Sequence, residues 1–293
     1  MPEHAPVVVT PALLRDWRLP DPTGSKDTKG RLVVVGGCAG NPGAVLLAAE
    51  AALRSGAGKV QVATVGTTAT QVAVSLPEAF VTGLPATGDE ISAAAAGRVA
   101  EQASGADAVL VGPGIGDPDA ALALLEALVP LLEVPLVVDA LATAFLTQHP
   151  DGLGALAAGS VVTPNIGELS LVIGADEDEV AADVPAAASR MARATGATVL
   201  AGSDVSHVVA PDGRTWTLGS GAPGSASAGS GDVKAGVVAG LLARGAEPTQ
   251  AAVWGAYLHD GAGERLTSEV GRVGFLARDL VSRLPRILDE VET

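Results

Sequence analysis

The fold is decided by SASAGSGDVKAGVVAGLLARG, Ser225 to Gly245. Gly229 and Gly231 bracket Ser230, the acid Asp232 follows at once, and an apolar helix runs on through Val233, Val237, Val238, Leu241 and Leu242. A turn alone needs one glycine. Glycines at a helix start let the backbone approach an anion closely. The unpaired N–H groups and the macrodipole favour negative charge there, so the stretch can seat a phosphate. An acid beside that phosphate makes sense as a base that takes a proton from a hydroxyl attacking phosphorus. The competing reading of Asp232 is a helix cap.

Outward from this stretch, short apolar runs alternate with helical patterns. Strands are expected at Arg31–Val35, Lys59–Thr64, Ala108–Val111, Leu136–Val138, Val161–Thr163 and Thr198–Ala201. Helices are expected at Gly43–Ser55, Ile91–Gln102, Asp119–Leu128, Val180–Thr195, Asp232–Ala243, Thr249–Leu266 and Ala277–Val291. Near-continuous apolar strands separated by helices predict an α/β fold with a mostly parallel sheet covered on both faces. Val205–Leu218, with the turn Pro211-Asp212-Gly213, predicts an antiparallel hairpin at its edge. No repeat, linker or domain boundary interrupts residues 1–293. In such a sheet ligands bind beyond the carboxyl ends of the strands. That selects GGCAGNPGA (Gly36–Ala44), GPGIG (Gly112–Gly116), TPNIGE (Thr163–Glu168) and AGSGD (Ala228–Asp232), all expected on one edge.

Composition narrows the partners. The formal net charge of −15 argues against nucleic acid and anionic membrane, but not against nucleotides held by helix ends. The lone Cys38 rules out an internal disulfide and fits a reducing, cytoplasmic setting. No signal peptide is expected at the start, and Glu133, Pro135 and Asp139 break the most apolar long window. Hydrophobic residues reach 48% but aromatics only 2%, so the core is built of Ala, Val and Leu, with Trp17, Trp216 and Trp254 as packing anchors. The four histidines show no metal-ligand spacing, which argues against structural zinc.

Taken in order, AGSGDVKAGVVAGLLARG, GNPGAVLLAAEAALRSGAGKV, VLVGPGIG and TPNIGEL resemble the NAD(P)H-hydrate dehydratase branch of the ribokinase-like superfamily. The resemblance runs nearly end to end of the dehydratase domain and implies a chain without the epimerase domain that the family optionally carries. It implies a three-layer αβα sandwich. It implies that ADP or ATP, with Mg²⁺, phosphorylates the ring hydroxyl of hydrated NADH or NADPH, and that loss of phosphate restores the dihydropyridine. Asp232 then fits as the base, and Gly229, Ser230 and Gly231 as the frame of the phosphoryl hole. The hydrated dinucleotide falls to Asn41, Ala44, Gly114, Gly116, Asp139, Asn165 and Asp232. The adenine nucleotide falls to Ala201, Gly202, Ser203, Asp204, Val205 and Gly231; Lys234 joins them on this chain's own residues and not on the resemblance. Mg²⁺ is assigned to Glu168 through water. The family also implies a homo-oligomer, often a tetramer.

The chain departs from the family pattern at three places. VVDALAT keeps Asp139 but has Leu141 where the family has a second acid. TPNIGE has Asn165 and Ile166 for His-Pro. VLAGSD has Ala201 where the family has lysine. The rival readings are therefore a kinase of a small alcohol, such as a vitamin precursor or sugar, and a nucleotide-binding paralogue without catalysis. Lys234 offers a replacement charge, because helical side chains lean toward the N-terminus. Its alternatives are snorkelling to solvent and pairing with a nearby acid. Asp139 and Glu168 likewise each have a local reading, as a helix cap and as first-turn helix charge.

Overall fold

The computed structural model describes residues 5–21, 29–202, 204–219 and 227–293. The strands are β1 (Val7–Val8), β2 (Arg31–Val35), β3 (Lys59–Val65), β4 (Phe80–Leu84), β5 (Ala86–Thr87), β6 (Glu90–Ile91), β7 (Ala108–Val111), β8 (Leu136–Asp139), β9 (Val161–Thr163), β10 (Thr198–Gly202), β11 (Val205–Val209) and β12 (Thr215–Gly219). The helices are α1 (Pro11–Asp16), α2 (Gly43–Arg54), α3 (Ala69–Ser75), α4 (Ala96–Ala103), α5 (Pro118–Leu128), α6 (Ala144–Gln148), α7 (Ile166–Ile173), α8 (Glu177–Ala182), α9 (Val184–Thr195), α10 (Ser230–Ala243), α11 (Pro248–Glu269), α12 (Ala277–Val281) and α13 (Leu284–Glu292).

The main sheet runs β1-β12-β11-β10-β9-β8-β7-β2-β3-β4. From β4 to β10 every pairing is parallel. β10, β11 and β12 pair antiparallel, which confirms the hairpin; its turn is fixed by Asp212 accepting from the Arg214 N–H. The expected edge position is off by one strand, because β1 adds outside β12. After β2 the chain builds β3 and β4 to one side, then returns to place β7 on the other. The loops after β2 and β7 thus flank the point where the winding reverses, the crevice such sheets use for ligands.

Alternation along each strand divides the core. Leu32 and Val34 face a layer containing α2, α10 and α11, whereas Val33 and Val35 face a layer containing α4, α5 and α9. The low aromatic content is felt most at α10, which is buried on nearly every side. It lies so close to α2 that a Cβ at Gly236 would stand 2.2 Å from the Ala48 carbonyl oxygen, and one at Gly240 2.7 Å from that of Ala52. No larger residue permits this approach. Trp254 is fully buried and donates to the Trp17 carbonyl, and Trp17 stacks on Trp216.

Two expected helices are broken by proline. Val180–Thr195 is the end of α8 followed by α9: Pro185 cannot continue a helix, and Asp183 caps the new start by accepting from the Ala186 N–H. Ala277–Val291 divides into α12 and α13 around Pro285. The helix expected from Ile91 begins later, since Glu90–Ile91 pairs with Ala86–Thr87 and Ser92 caps the turn leading into α4. Among the described residues no helix is long and apolar enough to cross a membrane.

Candidate active site

Asp232 is the third residue of α10. The helix is capped by Gly229, whose φ is +88° and which offers no side chain to the first N–H groups. A Cβ there would stand 2.7 Å from Leu47 Cδ1. The Ser230 N–H donates to the Ser227 carbonyl, but among the described residues the amides of Gly231 and Asp232 find no acceptor. Asp232 is not spent as a cap either. Among the described residues the result is a helix start with free donors and a carboxylate that none of them bonds.

Two further acids converge on Asp232. Asp139 ends β8, is buried, and accepts from Thr163 Oγ1 at 2.6 Å. Its bond to the turn that follows is with the Ala140 backbone, where φ is +51°, and not a side-chain cap deeper in the turn. Burial holds Asp139 well above the usual carboxylate range, and the charges of Asp232 and Glu168 add to this against the Thr163 bond. Asp232 is pushed up to about 6, first by desolvation and then by Glu168. Burial raises Glu168 as well, against its bonds with Asn165. Glu168 and Asn165 form a reciprocal capping box at the start of α7: the Asn165 N–H donates to Oε2 at 3.0 Å, and the Glu168 N–H donates to Oδ1 at 2.9 Å. The local reading of Glu168 is therefore realised, and its charge still acts on the other two acids. Among the described residues no cluster of His, Cys, Asp or Glu could by itself cage a metal. Hard carboxylate oxygens beside a phosphate seat fit Mg²⁺ held mainly by phosphate and water.

A cavity of about 330 Å³ opens beside this group. Asp139 and Thr163 line one wall, Ala201, Gly202 and Asp204 another, and Ser230 and Gly231 its roof. Val205 is exposed at the start of β11; the expected contact at Ser203 lies outside the described residues. Asn165, Lys234, His259 and Asp260 also line it. Lys234 pairs with an acid, as its local reading has it: Nζ lies 3.8 Å from Asp260 Oδ1 and donates to Ser206 Oγ at 3.2 Å. Its alkyl stem and ammonium nevertheless belong to the cavity wall.

The loops after β2 and β7 form a separate platform. The Gly37 N–H donates to the Pro113 carbonyl at 2.7 Å, and the Cys38 N–H to that of Gly114 at 2.9 Å. Asn41, Ala44 and Gly114 meet: a Cβ at Gly114 would stand 2.6 Å from the Asn41 carbonyl oxygen and 2.9 Å from Ala44 Cβ. Gly116 is exposed, and its N–H donates to both oxygens of Glu90, at 3.1 and 3.2 Å. The departures from the family pattern are accommodated locally, with Ala201 buried in the core and Asn165 capping α7.

Sequence reasoning missed His259, Asp260, Ser206 and Glu90. The signal for the first pair is HD in YLHDGAGE, adjacent polar residues within an otherwise small and apolar helix. His259 Nδ1 lies 3.1 Å from Asp260 Oδ1, and both residues are buried.

The chain is similar to known proteins over nearly its whole length. A family model described as NAD(P)H-hydrate dehydratase matches residues 32–286. An ADP-dependent (S)-NAD(P)H-hydrate dehydratase of Xanthomonas campestris pv. campestris is 38% identical over 97% of this chain and 96% of its own. The chain spans about half the length of the bifunctional NAD(P)H-hydrate repair enzymes among its curated relatives. Among solved structures, a ribokinase-like superfamily protein of Enterococcus faecalis matches with a TM-score of 0.83 at 24% identity, over 98% of this chain and 97% of that one. The Bacillus subtilis ADP/ATP-dependent NAD(P)H-hydrate dehydratase, co-crystallised with ATP/Mg²⁺, matches with a TM-score of 0.79 at 24% identity, over 97% and 98%. These two likenesses carry the fold.

Proposed function

The chain belongs to the NAD(P)H-hydrate dehydratase family, and on that premise we propose how its residues carry out the ADP-dependent dehydration of hydrated NADH or NADPH. The observation that carries the mechanism is the start of α10, with free amides and the unbonded Asp232 on one turn. Asp232 takes the proton of the ring hydroxyl as its oxygen attacks the terminal phosphoryl group. The O–P bond forms and the phosphoanhydride bond breaks. The amides of Gly231 and Asp232 stabilise the charge on the transferring group. Expulsion of the phosphate with loss of a ring proton then restores the dihydropyridine. With a pKa of about 6, Asp232 is ionised at neutral pH yet basic enough to accept the proton.

The platform of Asn41, Ala44, Gly114 and Gly116, with Asp139 and Asn165, holds the hydrated dinucleotide. The cavity at Ala201, Gly202, Asp204 and Val205 holds the nucleotide. Mg²⁺, when bound, neutralises phosphate charge, with Glu168 facing it through water. The working form is a cytoplasmic homo-oligomer. A kinase of another alcohol and an inactive paralogue are disfavoured, since the match is to dehydratases and Asp232 and its amides are intact.

The test is a coupled assay on chemically hydrated NADH and NADPH with Mg²⁺ and ADP or ATP, following the return of the near-ultraviolet absorbance of the reduced ring. Asp232→Asn is expected to lower the rate about a hundredfold or more. A stable phosphoester in place of free phosphate would return the kinase reading. An unaffected Asp232→Asn would remove the base.

A further inference from the structure

The cavity beside α10 has an unbalanced lining. Its acids are Asp139, Asp204 and Asp260, and among the described lining residues Lys234 is the one formal cation. The wall at Ala201 and Gly202 supplies none. A ligand carrying two phosphates is strongly anionic, so the source of positive charge matters. Lys234 stands three residues after Gly231 and four after Ser230, hence on the helix face directly below the two residues that roof the cavity. Long helical side chains lean toward the N-terminus, which carries the ammonium toward the free amides.

Lys234 is not a snorkelling surface lysine. Its side chain is only 17% exposed and that of Asp260 9%. A cation removed from water this far needs partners, yet among the described residues it has one hydrogen bond, to Ser206 Oγ, and a carboxylate at 3.8 Å. An ammonium has three donors, so donors remain. His259, 3% exposed, also lines the cavity, with one ring nitrogen held by the Ser230 backbone. Its other ring nitrogen faces Asp260.

We propose that Lys234 grips the phosphates of the nucleotide, and that Asp260 and Ser206 are positioning residues that hold its ammonium below the α10 amides. This deepens the reading of the cavity as the nucleotide seat and rests on it. The phosphate cation therefore comes from the helix that carries the base, and β10 contributes only backbone and small side chains.

The test is calorimetric titration of the purified protein with ADP and AMP, and with adenosine by competition. Lys234→Met is expected to weaken ADP about ten- to a hundredfold, the size of losing a charged hydrogen bond, AMP less, and adenosine not at all. Lys234→Arg is expected to retain most ADP affinity, and Asp260→Asn to lose a few-fold. The double variant Lys234→Met/Asp260→Asn is expected to bind ADP as weakly as Lys234→Met. Recovery in the double variant would mean that an uncovered Asp260 had repelled the phosphates, and would overturn the proposal. So would unchanged ADP affinity in Lys234→Met, or equal losses for ADP and adenosine. Absence of ADP binding by the unsubstituted protein would remove the nucleotide seat itself. The expected ADP pattern without turnover of the hydrate would sink the substrate reading and leave this proposal standing.

Discussion

The two walls of the site recognise by different means. The platform made by the loops after β2 and β7 is glycine-rich backbone, knitted by main-chain hydrogen bonds and packed to contact. The wall at α10 is made of ionisable side chains removed from water: Asp139, Asp232 and Glu168 all raised by burial, and Lys234 held beside Asp260. The first wall depends on shape, with the Glu90 carboxylate on the Gly116 N–H as its ionisable contact. The second depends on protonation and is costly to keep folded. Substitutions should therefore fail differently on the two sides.

The largest stability loss is expected on the platform. Gly114 has a φ of +72°, and a Cβ there meets the Asn41 carbonyl oxygen at 2.6 Å. Gly114→Ala should cost about 3 kcal/mol from strain and overpacking together, read by denaturant unfolding, with no change in the shape of the pH–rate profile. A neutral Gly114→Ala would break the claim that this wall is set by contact.

At α10 the opposite sign is expected. Asp232 holds its proton more tightly in the folded chain than in the unfolded one, so stability declines as pH rises from the ordinary aspartate value through about 6. Asp232→Asn removes that decline and should stabilise the protein by up to about 3 kcal/mol at pH 8, a gain that vanishes below about pH 4. Chemical unfolding of both proteins at the two pH values checks this. In the unsubstituted enzyme, kcat/KM should fall about tenfold per pH unit below about 6, as the base is protonated. A profile flat to pH 5 would assign the base elsewhere.

A smaller effect sharpens the boundary between the walls. Asn165→Ala removes the cap of α7 and should cost about 1 kcal/mol. It leaves the bond from the residue 165 backbone N–H to the Glu168 carboxylate in place and removes only the side-chain part of what offsets the burial of Glu168. An unchanged melting temperature would show the capping box to be replaceable by water.

Much of this was legible in the sequence because it was local. Alternating apolar runs set the layers, Pro211-Asp212-Gly213 set the hairpin, and the glycines around Ser230 marked the start of α10. The misses have physical causes. β4 was hidden because FVTGL carries a mid-strand glycine and begins with the exposed Phe80. Pro185 and Pro285 divide apolar patterns whose periodicity continues across the break. His259 and Asp260 sit deep in α11, and only the tertiary fold brings them against Lys234. Glu90 reaches Gly116 across a span of 26 residues. Chain-local signals mark helix starts and turns; they do not mark which side chain crosses a cavity.

The interlock of α2 with α10 has a mechanical consequence. Ala44 lies in the first turn of α2 on the proposed substrate platform, Asp232 in the first turn of α10 at the proposed reacting centre, and between them Gly236 rides on the Ala48 backbone and Gly240 on Ala52 and the Ser55 hydroxyl. Neither helix can slide or roll without backbone striking backbone. The proposed substrate loop and base are in effect two jaws cut from one block, their spacing set when the chain folds rather than when a ligand arrives.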